Sequence, residues 1–353
     1  MKYDLPQNIK DLTAYDPITG NFKIRLDANE SYVPLESLQL QAFADALQEI
    51  EFNRYPDSGA NRLCEAFATY YGVNRDLVTA FNGSDELLSI LISAFLGKNG
   101  KLAVFEQDFS MYRLYAQIYR ADLEVLPKED DLSISVDRTI GLLREKGVTM
   151  LLFSNPCNPT SLGLSRQDVL RLVTETEALI IVDEAYMDFW DQSLLKSVGK
   201  YDNLMILRTC SKAVGLASLR LGFAVAPAKI TQVLRAVKSP YNVNTLSQVF
   251  GQLVLESAEY LKEAAAEIIE NRKWLQAQLQ ELLAYDEIED VYPSCTNFVF
   301  LKVKGSKQIY QALLERSIAV REMSPYLRIT AGSGHENRAL IRELTDILKG
   351  EAK

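Results

Sequence analysis

The chain of 353 residues is 48% hydrophobic and 24% charged with a formal net charge of −9, a balance that suits a globular protein with a large core and argues against nucleic acid or an anionic membrane as the main partner. Its single histidine, His335, removes His-based metal sites and Ser-His or Cys-His catalysis, so no metal is expected. Cys64, Cys157, Cys210 and Cys295 are scattered without CxxC pairing and read as reduced thiols; with no apolar leader after Met1 and no run of membrane-span length, a cytoplasmic protein is expected.

The length predicts more than one core. Residues 1–35, with Pro6, Pro17, Gly20 and Pro34, read as an irregular arm. Helical periodicity follows over 35–50 and 64–71, the second stopped by Gly72. A short strand at 77–81 leads through Asn82-Gly83-Ser84-Asp85-Glu86 into an apolar helix over 87–96. Further strands are predicted near 102–105, 124–126, 148–153, 179–182, 204–207 and 221–226, with helices such as 166–174 between some of them. That alternation predicts an α/β fold with a mostly parallel sheet. Beyond Pro240 the pattern changes to one long helix-favouring stretch over 245–283. Strands near 297–303 and 326–330 and helices around 306–316 and 337–348 follow. The expected organisation is an arm (1–35), a large domain (36–245) and a smaller α+β domain (246–353), with no internal repeat.

Four motifs carry chemistry. Gly83-Ser84-Asp85-Glu86 joins a strand to a helix, where Gly lets the backbone turn, Ser or Asp caps, and outward N–H groups suit a phosphate; an ordinary capping turn fits the same residues. Asn155-Pro156-Cys157-Asn158-Pro159-Thr160 follows a strand, so Asn158 can present its amide to a ligand oxygen, or the segment is a structural turn. Asp183-Glu184-Ala185-Tyr186 follows the apolar run 179–182, and a carboxylate there needs a partner. A protonated pyridine nitrogen would serve. Mg²⁺ is the alternative, but the phosphate-binding Gly-x-x-x-x-Gly-Lys-Ser/Thr loop that it calls for is missing. Lys212 follows the strand 204–207 and Ser211, with Arg220 eight residues on. A cationic neighbour and partial desolvation would favour its free amine, the form that imine chemistry needs. A lysine, an aspartate, a tyrosine and an asparagine at successive strand ends suit pyridoxal phosphate. Gly332-Ser333-Gly334-His335-Glu336-Asn337 half-matches a dinucleotide fingerprint but lacks its third glycine, and reads as a loop and helix cap.

Asn155-Pro156-x-Asn158-Pro159-Thr160, Asp183-Glu184-Ala185-Tyr186 and Ser211-Lys212-Ala213-x-Gly215-Leu216-Ala217-x-Leu219-Arg220-Leu221-Gly222 occur in that order. Together the chain resembles the fold type I (aspartate aminotransferase-like) pyridoxal-phosphate aminotransferases, and within them the histidinol-phosphate group. Leu12-Thr13-Ala14-Tyr15, Leu26-Asp27-Ala28-Asn29-Glu30, Asn53-Arg54-Tyr55-Pro56-Asp57 and Tyr326-Leu327-Arg328-Ile329-Thr330 add to it, so the resemblance spans nearly the whole chain.

The resemblance implies roles. Lys212 carries the cofactor covalently, Asp183 pairs with the pyridine nitrogen, Tyr186 and Asn158 contact the ring oxygen, and Phe109 stacks on the ring. Ser84, Asp85, Ser211 and Arg220 hold the phosphate. Tyr55 reaches the site of a partner subunit, which implies a homodimer. Arg328, assisted by Arg321, Tyr15 and Asn158, binds the substrate. The implied reaction is transamination between L-histidinol phosphate and 2-oxoglutarate, with a broad or aromatic amino-acid aminotransferase as the alternative. Departures from the family pattern are Ser161 for glycine, Ala14 for proline, Ser31 after Glu30, and a short loop between Arg321 and Arg328.

Overall fold

The computed structural model describes residues 3–10, 12–14, 17–97 and 99–350. The strands are β1 (Ile24–Leu26), β2 (Val78–Asn82), β3 (Lys101–Phe105), β4 (Asp122–Leu126), β5 (Met150–Ser154), β6 (Leu179–Asp183), β7 (Leu204–Thr209), β8 (Leu221–Val225), β9 (Ile288–Val291), β10 (Phe298–Val303), β11 (Ile318–Met323) and β12 (Tyr326–Thr330). Seven form one sheet in the order β2-β8-β7-β6-β5-β3-β4. The runs Met150-Leu151-Leu152-Phe153 and Leu204-Met205-Ile206-Leu207 are buried throughout, as expected of strands covered by helices on both faces. β3, β4, β5, β6 and β7 pair in parallel, and β8 runs antiparallel to both its neighbours. The chain is thus α/β with a mostly parallel sheet.

The second sheet has the order β1-β11-β12-β10-β9. Leu275, Leu279, Leu301, Leu327, Ile329, Leu340 and Leu344 form its core with the helices that cover it. β1 lies inside the segment read as an irregular arm. Three residues are too short to show a period, and the strand exists because the edge of β11 pairs with it in parallel, Ile24 opposite Ile318 and Leu26 opposite Val320. β9, of four residues, escaped the sequence reading for want of length, and β11 escaped it as well. The stretch expected as one helix over 245–283 is two, Thr245–Glu256 and Ala258–Glu281. They part at Ser257, which leaves helical geometry (φ −87, ψ 56) while its hydroxyl donates to the Leu253 carbonyl, the local competition for which serine is known.

Candidate active site

Parallel strands deliver their carboxyl ends to one edge of a sheet, where open α/β folds bind ligands. Register makes that edge level: Ser154 of β5 lies opposite Asp183 of β6, and Asp183 opposite Leu207 of β7. Phe109 follows β3, Asn158 follows β5, Asp183 ends β6, and Lys212 follows β7. All four line a single cleft of about 710 Å³, with Ser84, Asp85, Tyr186, Ser211, Arg220 and Arg328.

Lys212 Nζ donates to the Ala28 carbonyl at 2.9 Å. Burial pushes its ammonium down to about 8, and the charges of Arg328 and Arg220 push the same way. Asp183 is 4% exposed; burial raises its carboxyl to about 6, while the Tyr112 hydroxyl (2.9 Å) and the Ala185 N–H (3.1 Å) donate to it and pull the other way. Asn29 Nδ2 donates to the Tyr186 hydroxyl at 2.9 Å, which orients the phenol and leaves its own proton for another acceptor. One residue past Asp183, Glu184 meets the buried Arg208 at 2.9 Å, and Arg208 also meets the half-buried Asp188 at 2.7 Å, so this charge triad fixes the turn that carries Asp183 and Tyr186.

At the helix Gly83–Phe95 the cap differs from expectation. Neither Ser84 nor Asp85 caps; Glu86 reaches back to the Asn82 N–H at 2.7 Å. Helix geometry then leaves the N–H groups of Gly83, Ser84 and Asp85 without partners inside the helix. Antiparallel β8 delivers the counter-charge to that point. Asn82 pairs with Leu221, so Arg220, just before β8, meets the helix start, just after β2. Arg220 contacts Asp85 at 3.0 Å and Ser211 Oγ at 3.5 Å. A Cβ on Gly222 would lie 2.6 Å from the Gly83 carbonyl carbon and 2.7 Å from the Ser84 nitrogen, so only glycine lets the two backbones close.

Arg328 donates to Asn158 Oδ1 at 2.7 Å and to the Asp27 carbonyl at 2.6 Å, and stands 5.5 Å from the Phe298 ring. The Asn158 NH₂ is therefore its end for a ligand oxygen. Arg321 lies opposite Arg328 in the β11–β12 ladder, on the same face, but does not line the cleft. Tyr55 lies outside the cleft of its own chain, 80% exposed and stacked on Tyr241 at 4.5 Å. Tyr15 lies outside the described residues. Ser161, where the family pattern has glycine, sits at φ +63, and its hydroxyl donates to the Pro293 carbonyl at 2.9 Å. Sequence reasoning missed Tyr112 and Asn29, whose partners lie far off in the chain. Their only signal was membership of segments that the family pattern marks, around Phe109 and over 26–30. The glycine-rich segment near 332 is a cap: Ser333 and Glu336 close a capping box on the helix Gly334–Leu348, and His335 is exposed.

This fold and this edge of charged groups define a class. The family model "Aminotransferase class I and II" matches residues 22–344, and the chain belongs to that family. Among its relatives is a histidinol-phosphate aminotransferase of Clostridium kluyveri, 37% identical over 97% of this chain and 98% of that one. Another, of Clostridium novyi, is 36% identical over 98% and 96%. The crystal structure of histidinol-phosphate aminotransferase from Sinorhizobium meliloti in complex with pyridoxal-5'-phosphate superposes with a TM-score of 0.86 at 20% identity, over 99% of this chain and 98% of that one, and shares the fold.

Proposed function

We propose that this chain is a pyridoxal-phosphate-dependent aminotransferase that moves the amino group of L-histidinol phosphate to 2-oxoglutarate, giving imidazole acetol phosphate and L-glutamate in histidine biosynthesis. The observation that carries the reading is one cleft that holds an amine of depressed basicity at Lys212, a buried carboxylate at Asp183, and two arginines, Arg220 and Arg328. The names of relatives matched over nearly the whole chain supply the substrate.

The residues fit the cofactor. The volume lies in the range of small-molecule sites. Asp183 is buried without an ion-pair partner among the described residues, and a protonated ring nitrogen would provide one. Gly83 and Gly222 clear side-chain carbon from the end where a phosphate would meet the helix. When bound, the cofactor supplies an electron sink for the charge left at the substrate α-carbon. Lys212 would be its covalent anchor, and its free amine would hold and move the proton at that carbon. Asp183 would keep the ring nitrogen protonated, Phe109 would stack on the ring, and Tyr186 and Asn158 would donate to the ring oxygen. The N–H groups of Ser84 and Asp85, the Ser211 hydroxyl and Arg220 hold the phosphate. Arg328 receives the glutamate carboxylate in one half-reaction and the histidinol phosphate group in the other, because its fork pairs with either oxyanion. Arg321, on the same strand face, and Tyr15 assist.

The proposal includes a cytoplasmic homodimer. Leu38, Phe52, Tyr55 and Tyr241 are large and exposed, as on a surface that a second copy covers, and Tyr55 would then serve the partner's phosphate. Free thiols at Cys64, Cys157 and Cys210 suit a reducing compartment.

The test is a half-reaction. The cofactor-loaded protein is mixed with L-histidinol phosphate without acceptor and the visible absorbance is followed, with L-phenylalanine in parallel and Lys212→Ala as control. Fast bleaching with histidinol phosphate and slow change with phenylalanine are expected. The reverse order would make the protein a broad aromatic aminotransferase, and no response to either would sink both.

A further inference from the structure

Lys128 is the only lysine in the buried class among the described residues, 8% exposed, and the chemistry above gives it no task. It follows the edge strand β4, whose last residue Leu126 pairs with Phe105 at the end of β3. Lys128 therefore stands beside the 106–109 loop at the ligand-binding edge. Its ammonium lies 3.2 Å from the Gln107 carbonyl and 3.2 Å from Cys157 Sγ. Gln107 and Cys157 belong to the two loops that carry Phe109 and Asn158.

Asp108 joins the same loops. Its carboxylate accepts from the N–H of Phe109 at 2.7 Å, from the N–H of Ser154 at 3.2 Å and from the Ser154 hydroxyl. Ser154 Oγ in turn accepts from the Asn158 N–H at 3.1 Å, and Asn158 holds Arg328. Burial raises the Asp108 carboxyl, and the charge of Lys128 is the largest influence working against that rise. A buried ammonium is costly unless charge and hydrogen bonds repay it, and here both repayments come from the two loops.

We propose that Lys128 is a positioning residue for transamination: its buried ammonium, through Asp108, Gln107 and Cys157, clasps the Phe109 loop to the Asn158 loop and so fixes the ring-stacking and ring-oxygen groups relative to each other. This rests on the reading of the cleft as a pyridoxal phosphate site. Lys128 touches neither cofactor nor substrate; it does not line the cleft.

The test compares wild type, Lys128→Met, Asp108→Asn and the double variant. Pyridoxal phosphate affinity of the cofactor-free protein is read by fluorescence titration, together with kcat, donor KM and Tm. Lys128→Met is expected to bind the cofactor about tenfold more weakly and to lose about tenfold in kcat, with donor KM within about twofold, since misplaced groups act on cofactor and chemistry together. The absorbance maximum of the bound cofactor should shift as well. The double variant should be no weaker than Lys128→Met alone, because coupled residues are not additive. Affinity within about twofold of wild type in Lys128→Met, or additive losses in the double variant, would overturn the inference. Should Lys128→Met fail to fold, Lys128→Gln takes its place, since it removes the charge and keeps a polar side chain: about a tenfold loss of affinity supports the clasp and unchanged affinity overturns it. A wild-type chain that does not bind the cofactor would overturn this inference together with the proposed function, whereas a Lys128→Met variant that matches wild type strikes only here.

Discussion

The Tyr112 hydroxyl donates to Asp183 Oδ2 at 2.9 Å, and the two side chains are 0% and 4% exposed. This bond steadies a carboxylate that burial pushes toward its protonated form. Tyr112→Phe removes a donor that favours the ionised state, so the Asp183 carboxyl rises further. The acidic limb of the pH–rate profile should move to higher pH, and kcat/KM near neutral pH should fall about tenfold, as for loss of a hydrogen bond to a charged group. An unmoved limb would deny Tyr112 that role.

Asp183 also sets the stability of the cofactor-free chain. Its folded carboxyl, at about 6, lies above the ordinary 3.8. The folded chain therefore holds more protons than the unfolded chain between these values, and stability falls as pH rises through that window. Above it the whole penalty is present. Asp183→Asn should stabilise the cofactor-free protein at neutral pH by on the order of 1–3 kcal/mol and give no gain near pH 4. Turnover should drop by about a hundredfold or more, because the ring nitrogen loses its partner. Denaturant unfolding at several pH values with activity assays checks both parts.

The Lys212 ammonium, held at about 8, sets when the site can be loaded. The rate of covalent loading of the cofactor-free protein should reach its half-maximum near that pH, well below the 10.5 of an ordinary lysine. Arg328 is the leading charge among the causes, after burial, so Arg328→Met should move the midpoint upward. A midpoint that stays put in the variant would leave burial and Arg220 as the causes.

Gly222→Ala tests the closure of β8 on the helix start. Its Cβ would meet the Gly83 carbonyl carbon and the Ser84 nitrogen inside 3 Å, and both are backbone atoms. The helix start must shift away from Arg220. Affinity for pyridoxal phosphate, and for inorganic phosphate as a competitor, should fall about tenfold or more, with a loss of on the order of 1–3 kcal/mol in stability.

Tyr55 and Lys212 belong to different subunits of one site if the homodimer is right. Hybrids of Tyr55→Ala with Lys212→Ala should then contain one site with both residues intact, and about a quarter to a half of wild-type activity, as symmetry allows. Activity no higher than that of Tyr55→Ala mixed with inactive protein would rule this sharing out.

Legibility followed the range of the physical signal. The strands β5, β6 and β7 announced themselves as apolar runs, and their carboxyl ends told where Asn158, Asp183 and Lys212 would stand. β1 did not, because three residues show no period and its partner lies almost three hundred positions away in the chain. The break at Ser257 hid within good helix formers. Asn29 on Tyr186, Tyr112 on Asp183 and the Lys128 clasp are contacts between distant segments, and no local pattern encodes them. The cap at Gly83 failed for a finer reason: Ser84 and Asp85 had the right chemistry, but Glu86 occupied the role from one turn further on.

β8, the one strand of the seven-stranded sheet that runs against two neighbours, would tie cofactor retention to the margin of that sheet. Gly83 and Arg220 meet only while β2 and β8 stay zipped, and β2 is the outermost strand on that side. A fluctuation that peels this border opens the anion grip while the parallel interior remains intact. If the phosphate sits there as proposed, a saturating supply of cofactor would act as a brace on that rim.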